Sequence, residues 1–188
     1  VWDWQGQDWS KLIYVWNTPN DPLIQKWKGD ATKYSKIKAM PGYYGDVLDQ
    51  LNALIGVLYN DYLYDIDYTL PGPSEYGQKI RYPSEVISKK QGMCIETTMI
   101  WASVIDSLEM NAVIIKVPGH AIVGCETGPD TNEFVVFETT DISFDLPLNY
   151  VIGSKEECVS WCKSQYGDLD LWLEIKDLRE EVKQKRPW

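Results

Sequence analysis

The chain has 188 residues with 44% hydrophobic and 24% charged side chains, which is the composition of an ordinary globular protein. Its formal net charge of −10 argues against nucleic acid and anionic lipid as partners, because both select basic surfaces. No apolar run approaches about eighteen residues, so we expect no membrane insertion in this segment.

We expect residues 1–188 to form one domain, with an aromatic-rich N-terminal arm over 1–45, a core over 46–150 and a C-terminal helix-strand-helix over 151–188. Val1 is not a natural first residue, which leaves open a leader, an anchor or further domains before it. A removed leader would fit an extracytoplasmic location, and a cytoplasmic location stays open.

The first half of the chain predicts helices separated by loops. A tryptophan-rich stretch ends in a loop at 17–22, and Pro22 suits the first turn of a helix that runs to about residue 28. Asp46 is a suitable helix N-cap, and apolar residues behind it repeat at helical spacing to about Tyr62. The pattern then predicts a short strand at 66–70, a turn-rich loop at 71–77 and a short helix beginning at Pro83.

The stretch from Gly92 to Met110 predicts a buried helix with Cys94 in its first turn. It is apolar on most sides, which is typical of a core helix. The polar positions form one narrow stripe, namely Glu96, Ser103 and Ser107. The unpaired N–H groups and the dipole of a helix N-terminus lower the pKa of a thiol, so Cys94 is a candidate nucleophile. The simpler interpretation is that a cysteine in an apolar helix only packs.

After this helix the pattern changes to strands. Three runs predict strands with short connections, which pair antiparallel, at 112–117, 120–125 and 134–137. The remaining elements are a helix at 155–166, a strand at 171–175 and a charged helix at 176–185. Helices first and antiparallel strands afterwards predict an α+β fold.

The four cysteines do not indicate a disulfide framework. If Cys94 is a free nucleophile, Cys125, Cys158 and Cys162 allow at most one bridge. Cys158 and Cys162 lie four residues apart on a predicted helix, where side chains seldom reach disulfide geometry, so we expect them to pack as small hydrophobes. A zinc site needs more Cys or His ligands than a chain with one histidine offers, and we expect no metal and no other cofactor.

Cys94, His120 and Glu138 are the candidate site. His120 begins the second predicted strand and Glu138 ends the third, so neighbouring strands would bring the two side chains within reach of each other. A cysteine nucleophile needs a base, and the base needs a third group that fixes its tautomer. On residue types alone, a lone histidine before a strand is more often structural or at the surface, and a glutamate at a strand end is usually a solvated carboxylate.

The segment GMCIETTMIWASVIDSLEMNAVIIKVPGHAIVG resembles the core of the transglutaminase-like, papain-like cysteine hydrolase superfamily, in which a Gly-x-Cys opens the central helix and a Gly-His begins the next strand pair. The preceding GQKIRYPSEVISKKQGMC is similar to bacterial and archaeal members of this superfamily. The resemblance covers about residues 78–140, and it implies a central Cys-bearing helix packed on an antiparallel sheet, here with extra N-terminal helices.

The resemblance implies Cys94 as the nucleophile, His120 as base and then acid, and Glu138 as the group that orients His120. The commoner acid in the family is Asp, so Asp141 is the alternative. Gln78 is a candidate oxyanion donor together with the backbone N–H of Cys94, and its alternative is an ordinary surface-loop residue.

The implied reaction is cysteine-dependent acyl transfer through a thioester, with hydrolysis of a peptide or isopeptide bond as the leading expectation and a peptide or protein as the substrate. Transglutaminase-type amide crosslinking is the alternative, and it needs a pocket that excludes water. A rival from another class is a catalytically silent binding module with an aromatic surface, formed by Trp2, Trp4, Trp9 and Trp16. The sequence leaves the oligomeric state open.

Overall fold

The protein is described by a computed structural model over residues 3–4, 7–8, 10–58, 60, 67–68, 80–140 and 150–185. The α-helices in this part of the chain are α1 (Pro22–Ala31), α2 (Val47–Val57), α3 (Pro83–Lys89), α4 (Cys94–Ser107), α5 (Lys155–Tyr166) and α6 (Ile175–Lys185). The strands are β1 (Asp3–Trp4), β2 (Gln7–Asp8), β3 (Asp67–Tyr68), β4 (Gln91–Gly92), β5 (Ala112–Val117), β6 (His120–Glu126), β7 (Glu133–Phe137), β8 (Tyr150–Ser154) and β9 (Leu171–Glu174).

The main sheet has five antiparallel strands in the order β8-β7-β6-β5-β9. A two-residue turn, Pro118-Gly119, joins β5 to β6, so that Val117 pairs with His120. Gly119 has a φ of +72°, a backbone conformation that costs glycine little and other residues more. This tight turn makes His120 the first residue of β6 and places its side chain at the end of the sheet.

Two layers of helix cover the two faces of this sheet. One face carries Ile114 and Val123 and packs against α4, with α1, α2 and α3 behind it. The opposite face carries Ile115 and Ile122 and packs against α5. Because successive side chains of a strand point to opposite faces, each strand of the sheet contributes to both layers.

Helix α4 is the centre of the larger layer. Every residue from Cys94 to Asp106 is buried, as expected for a helix that is apolar on most sides. The Trp101 ring packs edge-on against Trp27 of α1 and Phe137 of β7, with ring centroids 5.0 Å apart in both pairs. Aromatic pairs of this geometry contribute about 0.5–1.5 kcal/mol beyond their buried area, so the helix is held firmly between α1 and the sheet.

The predicted α+β class and the predicted central helix on an antiparallel sheet are confirmed. Several observed bounds differ from the predicted ones: α1 runs to Ala31 rather than about residue 28, and the described part of the strand predicted at 66–70 is Asp67–Tyr68. β8 was not predicted, because YVIGS contains a glycine and runs into α5 without a turn. The α-helical part of α2 ends at Val57, and the chain continues as π-helix at Leu58 and Asn60, whose side chain donates to the carbonyl of Gly56 at 2.7 Å. Tyr62, near which we predicted the end of this helix, lies outside the described residues. The predicted loop at 71–77 lies outside the described residues.

Candidate active site

Cys94 is the first residue of α4, and its position is set by a buried ion pair. Glu96 accepts the backbone N–H of Met93 at 3.0 Å, which caps the helix, and its side chain is fully buried. Arg81 donates from Nε and Nη2 to the two oxygens of Glu96 at 2.9 and 2.7 Å. The Arg81 backbone N–H adds a third hydrogen bond at 2.8 Å, so the segment before α3 is fastened to the first turn of α4.

The Cys94 thiol lies against the first residues of β6, and the residue as a whole is only 8% exposed. Burial raises the pKa of a thiol, but a hydrogen bond with the His120 side chain, the charge of that side chain and the backbone N–H groups of Ala121 and Ile95 outweigh it. The net effect is a pKa of Cys94 below its ordinary value. The surroundings therefore favour the thiolate, which is the nucleophilic form.

His120 contacts Cys94 on one side and Glu138 on the other. Its Nε2 lies 2.6 Å from Oε2 of Glu138, which leaves Nδ1 for the thiol. The hydrogen bonds with Cys94 and then with Glu138 outweigh burial and raise the pKa of His120 to about 9. An imidazolium between a thiolate and a carboxylate is the arrangement these pKa directions favour.

Glu138 is held by donors on both of its oxygens. Oε1 accepts the backbone N–H groups of Thr139 and Thr140 at 2.8 and 3.0 Å and the Thr140 hydroxyl at 2.8 Å. Oε2 accepts the Tyr166 hydroxyl at 3.2 Å in addition to His120. Burial would raise the pKa of Glu138, but His120 and Thr140 outweigh it and bring the pKa to about 2. The carboxylate is therefore ionised and fixed in orientation.

Two threonines tie the first turn of α4 to the end of β7. The Thr97 hydroxyl donates to the carbonyl of Cys94 at 2.9 Å and lies 2.8 Å from the Thr139 hydroxyl. Because Thr97 has a single hydroxyl proton and gives it to Cys94, Thr139 is the donor of the second bond. The backbone of the cysteine and the residue beside Glu138 are thus joined through one short chain of hydrogen bonds.

The structure brings Cys94, His120 and Glu138 together, as predicted, while their catalytic roles stay predictions. Gln78 and the alternative acid Asp141 lie outside the described residues. The hydrogen-bonding partners Arg81, Thr97, Thr140 and Tyr166 were not predicted. Glu96 was noted only as part of a polar stripe, although a glutamate three residues after the N-cap, here Met93, is a recognisable capping signal.

The other cysteines lie away from this site. Cys125 is at the opposite end of β6 and fully buried, and burial raises the pKa of its thiol. Cys158 and Cys162 pack between α5 and the sheet, where burial raises their pKa values to about 12 and about 11. All four cysteines are free thiols. In the described part of the chain no cluster of three His, Cys, Asp or Glu side chains has metal-binding geometry, and no helix there is long and apolar enough to cross a membrane.

A helix that presents a cysteine to a histidine and an acid on an antiparallel sheet is the arrangement of papain- and transglutaminase-like folds. The family model of the transglutaminase-like superfamily matches residues 36–180, and the chain belongs to this family. The match extends beyond the motif region to include α2, α5 and β9. Comparison with curated proteins and with solved structures gave no significant match. Members of the superfamily generally carry out cysteine-dependent acyl transfer, and the family can also be inactive.

Proposed function

We propose that the protein hydrolyses a peptide or isopeptide amide bond through a thioester on Cys94. The observation that carries the proposal is the continuous chain of contacts from the Cys94 thiol through His120 to Glu138. A silent fold has no physical requirement for a thiol of lowered pKa beside a histidine whose partner carboxylate accepts hydrogen bonds on both oxygens.

In the acylation step, the Cys94 thiolate attacks the amide carbonyl carbon and forms a C–S bond. The developing oxyanion is stabilised by the backbone N–H of Cys94 at the start of α4, where helix N–H groups have no intrahelical partner. Gln78 is the proposed second donor. The C–N bond then breaks, and the proton on Nδ1 of His120 passes to the leaving amine.

In the second step, water attacks the thioester carbonyl while neutral His120 accepts a proton from it. The C–S bond breaks, the carboxylic acid leaves and Cys94 returns as the thiolate beside protonated His120. Glu138 keeps Nε2 as the proton-bearing nitrogen throughout, so Nδ1 faces the reacting atoms in both steps. Hydrolysis is the default outcome because water is always present, whereas amine transfer needs a site that excludes water.

The test is a fluorogenic peptide and isopeptide library, with the products of each active substrate analysed by mass spectrometry. We expect release of the free amine and the free acid, and a trapped acyl-Cys94 adduct after rapid acid quench. Cys94→Ala should abolish turnover with the fold retained. Incorporation of a labelled primary amine in place of water would make the protein a transglutaminase instead. Absence of both activities, together with an ordinary thiol pKa, would leave the binding module as the account.

The alternative of a catalytically silent binding module depends on an aromatic surface formed by four tryptophans. Trp2 and Trp9 lie outside the described residues, and of Trp4 only the backbone is described. Trp16 is half-buried: its Nε1 donates to the carbonyl of Ile80 at 3.0 Å, and its ring stacks on Tyr82 at 6.2 Å. Trp16 thus fastens the segment that carries Arg81 rather than presenting a free ring, which supports the catalytic proposal over the binding one.

A further inference from the structure

Tyr166 is the last residue of α5 and reaches the proposed site from the opposite face of the sheet to α4. Its hydroxyl lies 3.2 Å from Oε2 of Glu138, the same oxygen that contacts Nε2 of His120. Its ring centroid is 5.7 Å from that of the His120 imidazole, with the planes tilted by 37°. The side chain therefore touches both the histidine and the carboxylate that orients it.

We propose that Tyr166 is a positioning residue for the thiol chemistry, whose ring shields the His120–Glu138 hydrogen bond from water and whose hydroxyl anchors that ring on Glu138. This inference rests on the proposed function. Excluding water lowers the local dielectric, and the attraction between imidazolium and carboxylate is stronger there than in solvent. A ring beside the imidazole also restricts its rotation, which keeps Nδ1 directed at Cys94.

The C-terminal end of α5 positions the Tyr166 side chain beside His120 and Glu138. Cys158, Cys162 and Tyr166 are spaced four residues apart, so they lie on one face of the helix, towards the sheet. Gly167 ends the helix with a φ of +89°, which favours glycine, and its N–H donates to the carbonyl of Lys163 at 2.9 Å. The two small cysteines let the helix lie close to the strands, and Tyr166 then extends past the end of the packed face to the site.

The phenol is a donor in this arrangement. Burial and the charge of Glu138 raise the pKa of Tyr166, so its proton is retained at neutral pH. The titratable groups that face His120 are Cys94 from α4, Glu138 after β7 and Tyr166 from α5. Tyr166 additionally faces Cys162, whose thiol is neutral because burial raises its pKa to about 11.

The test compares Tyr166→Phe, which keeps the ring, and Tyr166→Leu, which removes it, with Trp161→Phe as the matched control. Trp161 packs edge-on against Tyr166 at 6.1 Å on the same helix, so its variant disturbs α5 without removing the contacts to His120 and Glu138. Alkylation of Cys94 by iodoacetamide is followed by peptide mass spectrometry at about pH 6 and about pH 10. The rate constant at about pH 6 divided by that at about pH 10 measures how much thiolate His120 stabilises at the lower pH. A change in the access of iodoacetamide to the thiol affects both rate constants equally and cancels from this ratio.

We expect the ratio to fall roughly fivefold in Tyr166→Phe, which loses one hydrogen bond. In Tyr166→Leu, which frees the imidazole, it should fall by about tenfold or more. Trp161→Phe should keep the wild-type ratio. Folded Tyr166→Phe and Tyr166→Leu with wild-type ratios would overturn the positioning role while leaving the proposed function intact. A wild-type protein whose Cys94 alkylates as an ordinary thiol would overturn both. Tyr166→Phe keeps the inference testable if Tyr166→Leu fails to fold.

Discussion

At the scale of single residues, the acid is the part of the site that departs from the family pattern. Glutamate is one methylene longer than the commoner aspartate, and this chain accommodates it by folding the carboxylate back onto its own following residues. Thr139 and Thr140 supply three donors to Oε1, which fixes the side chain so that Oε2 meets Nε2 of His120. The extra length is thus compensated by local hydrogen bonds.

The first prediction concerns Glu138→Gln. The amide can donate as well as accept, so it also stabilises the tautomer of His120 that carries its proton on Nδ1 rather than Nε2. We expect turnover to fall by about 10³–10⁴-fold with the fold retained, measured on the best library substrate. The control is Asp141→Asn, which should keep near wild-type activity. A fully active Glu138→Gln beside an inactive Asp141→Asn would show that Asp141 is the orienting acid.

The same variant gives a pH-dependent stability difference. The pKa of Glu138 is about 2 in the folded chain against an ordinary value of 4.5, so the folded state holds the charged form at pH values where the unfolded state is protonated. The stabilisation by the ionised carboxylate is therefore complete above about pH 4.5 and lost as the pH falls through about 2. Denaturant titrations should show the gap in the free energy of unfolding between wild type and Glu138→Gln growing as the pH rises from about 2 to about 4.5 and then staying level to about pH 6.5. Above that the gap should shrink as the pH rises through about 9, because Glu138 also helps to raise the pKa of His120 and that contribution is lost when His120 deprotonates.

At the scale of elements, the position of the α4 N-terminus depends on the Arg81–Glu96 pair. Glu96 is fully buried, so Arg81→Met would leave an uncompensated charge in the core. We expect a loss of about 3 kcal/mol in the free energy of unfolding, measured by urea denaturation. The double variant Arg81→Met with Glu96→Gln should recover part of this loss, because a neutral amide still accepts the Met93 N–H. A double variant that loses as much free energy of unfolding as the Arg81→Met and Glu96→Gln single variants together would contradict this account.

The three buried cysteines outside the site belong to the packing of β6 and α5. Replacing Cys125, Cys158 and Cys162 together by alanine should cost about 1 kcal/mol for each small cavity and leave the rate of a folded protein near the wild-type value. Cys94→Ala is the matched comparison and should be inactive. A triple variant that folds but has no activity would indicate a metal or redox role for these thiols.

At the scale of the whole molecule, the chemistry and a buried polar network lie at opposite ends of the sheet. Asn111, just before β5, donates to Glu126 at 2.9 Å and to Glu174 at 3.1 Å, and both carboxylates are buried. Lys176 and Lys155 reach the same two carboxylates at 2.9 Å each. The ends of β6 and β9 are fastened here, while the start of β6 carries His120.

The variant Asn111→Ala tests whether the buried polar network and the proposed active site, at opposite ends of the sheet, are independent of each other. It removes donors from two buried carboxylates that keep their lysine partners, so we expect the free energy of unfolding to fall by about 2 kcal/mol. The pH profile of Cys94 alkylation should stay that of the wild type, because no contact of Asn111 touches the site. A shifted alkylation profile with an unchanged stability would show that the network acts on the thiol rather than on the fold.

The local patterns of the chain predict its elements better than its contacts. The buried helix behind Gly92, the Pro118-Gly119 turn and the alternating strands follow from short-range rules, and they are sufficient to bring Cys94 to His120 and Glu138. Arg81 and Tyr166 could not be predicted in this way, because each reaches the site through tertiary packing. Tyr166 lies 28 residues beyond Glu138 in a helix whose pattern shows only that it packs on the sheet.

The central claim is that Cys94 and His120 form a thiolate–imidazolium pair, and NMR titration of the imidazole tests it most directly. The chain contains one histidine, so tag-free protein gives a single set of imidazole signals without assignment. We predict a pKa of about 9 for His120 in the wild type, falling clearly in Cys94→Ala, because the hydrogen bond with Cys94 is the largest cause of the elevation. An imidazole that titrates near 6.5 in both proteins would contradict the account.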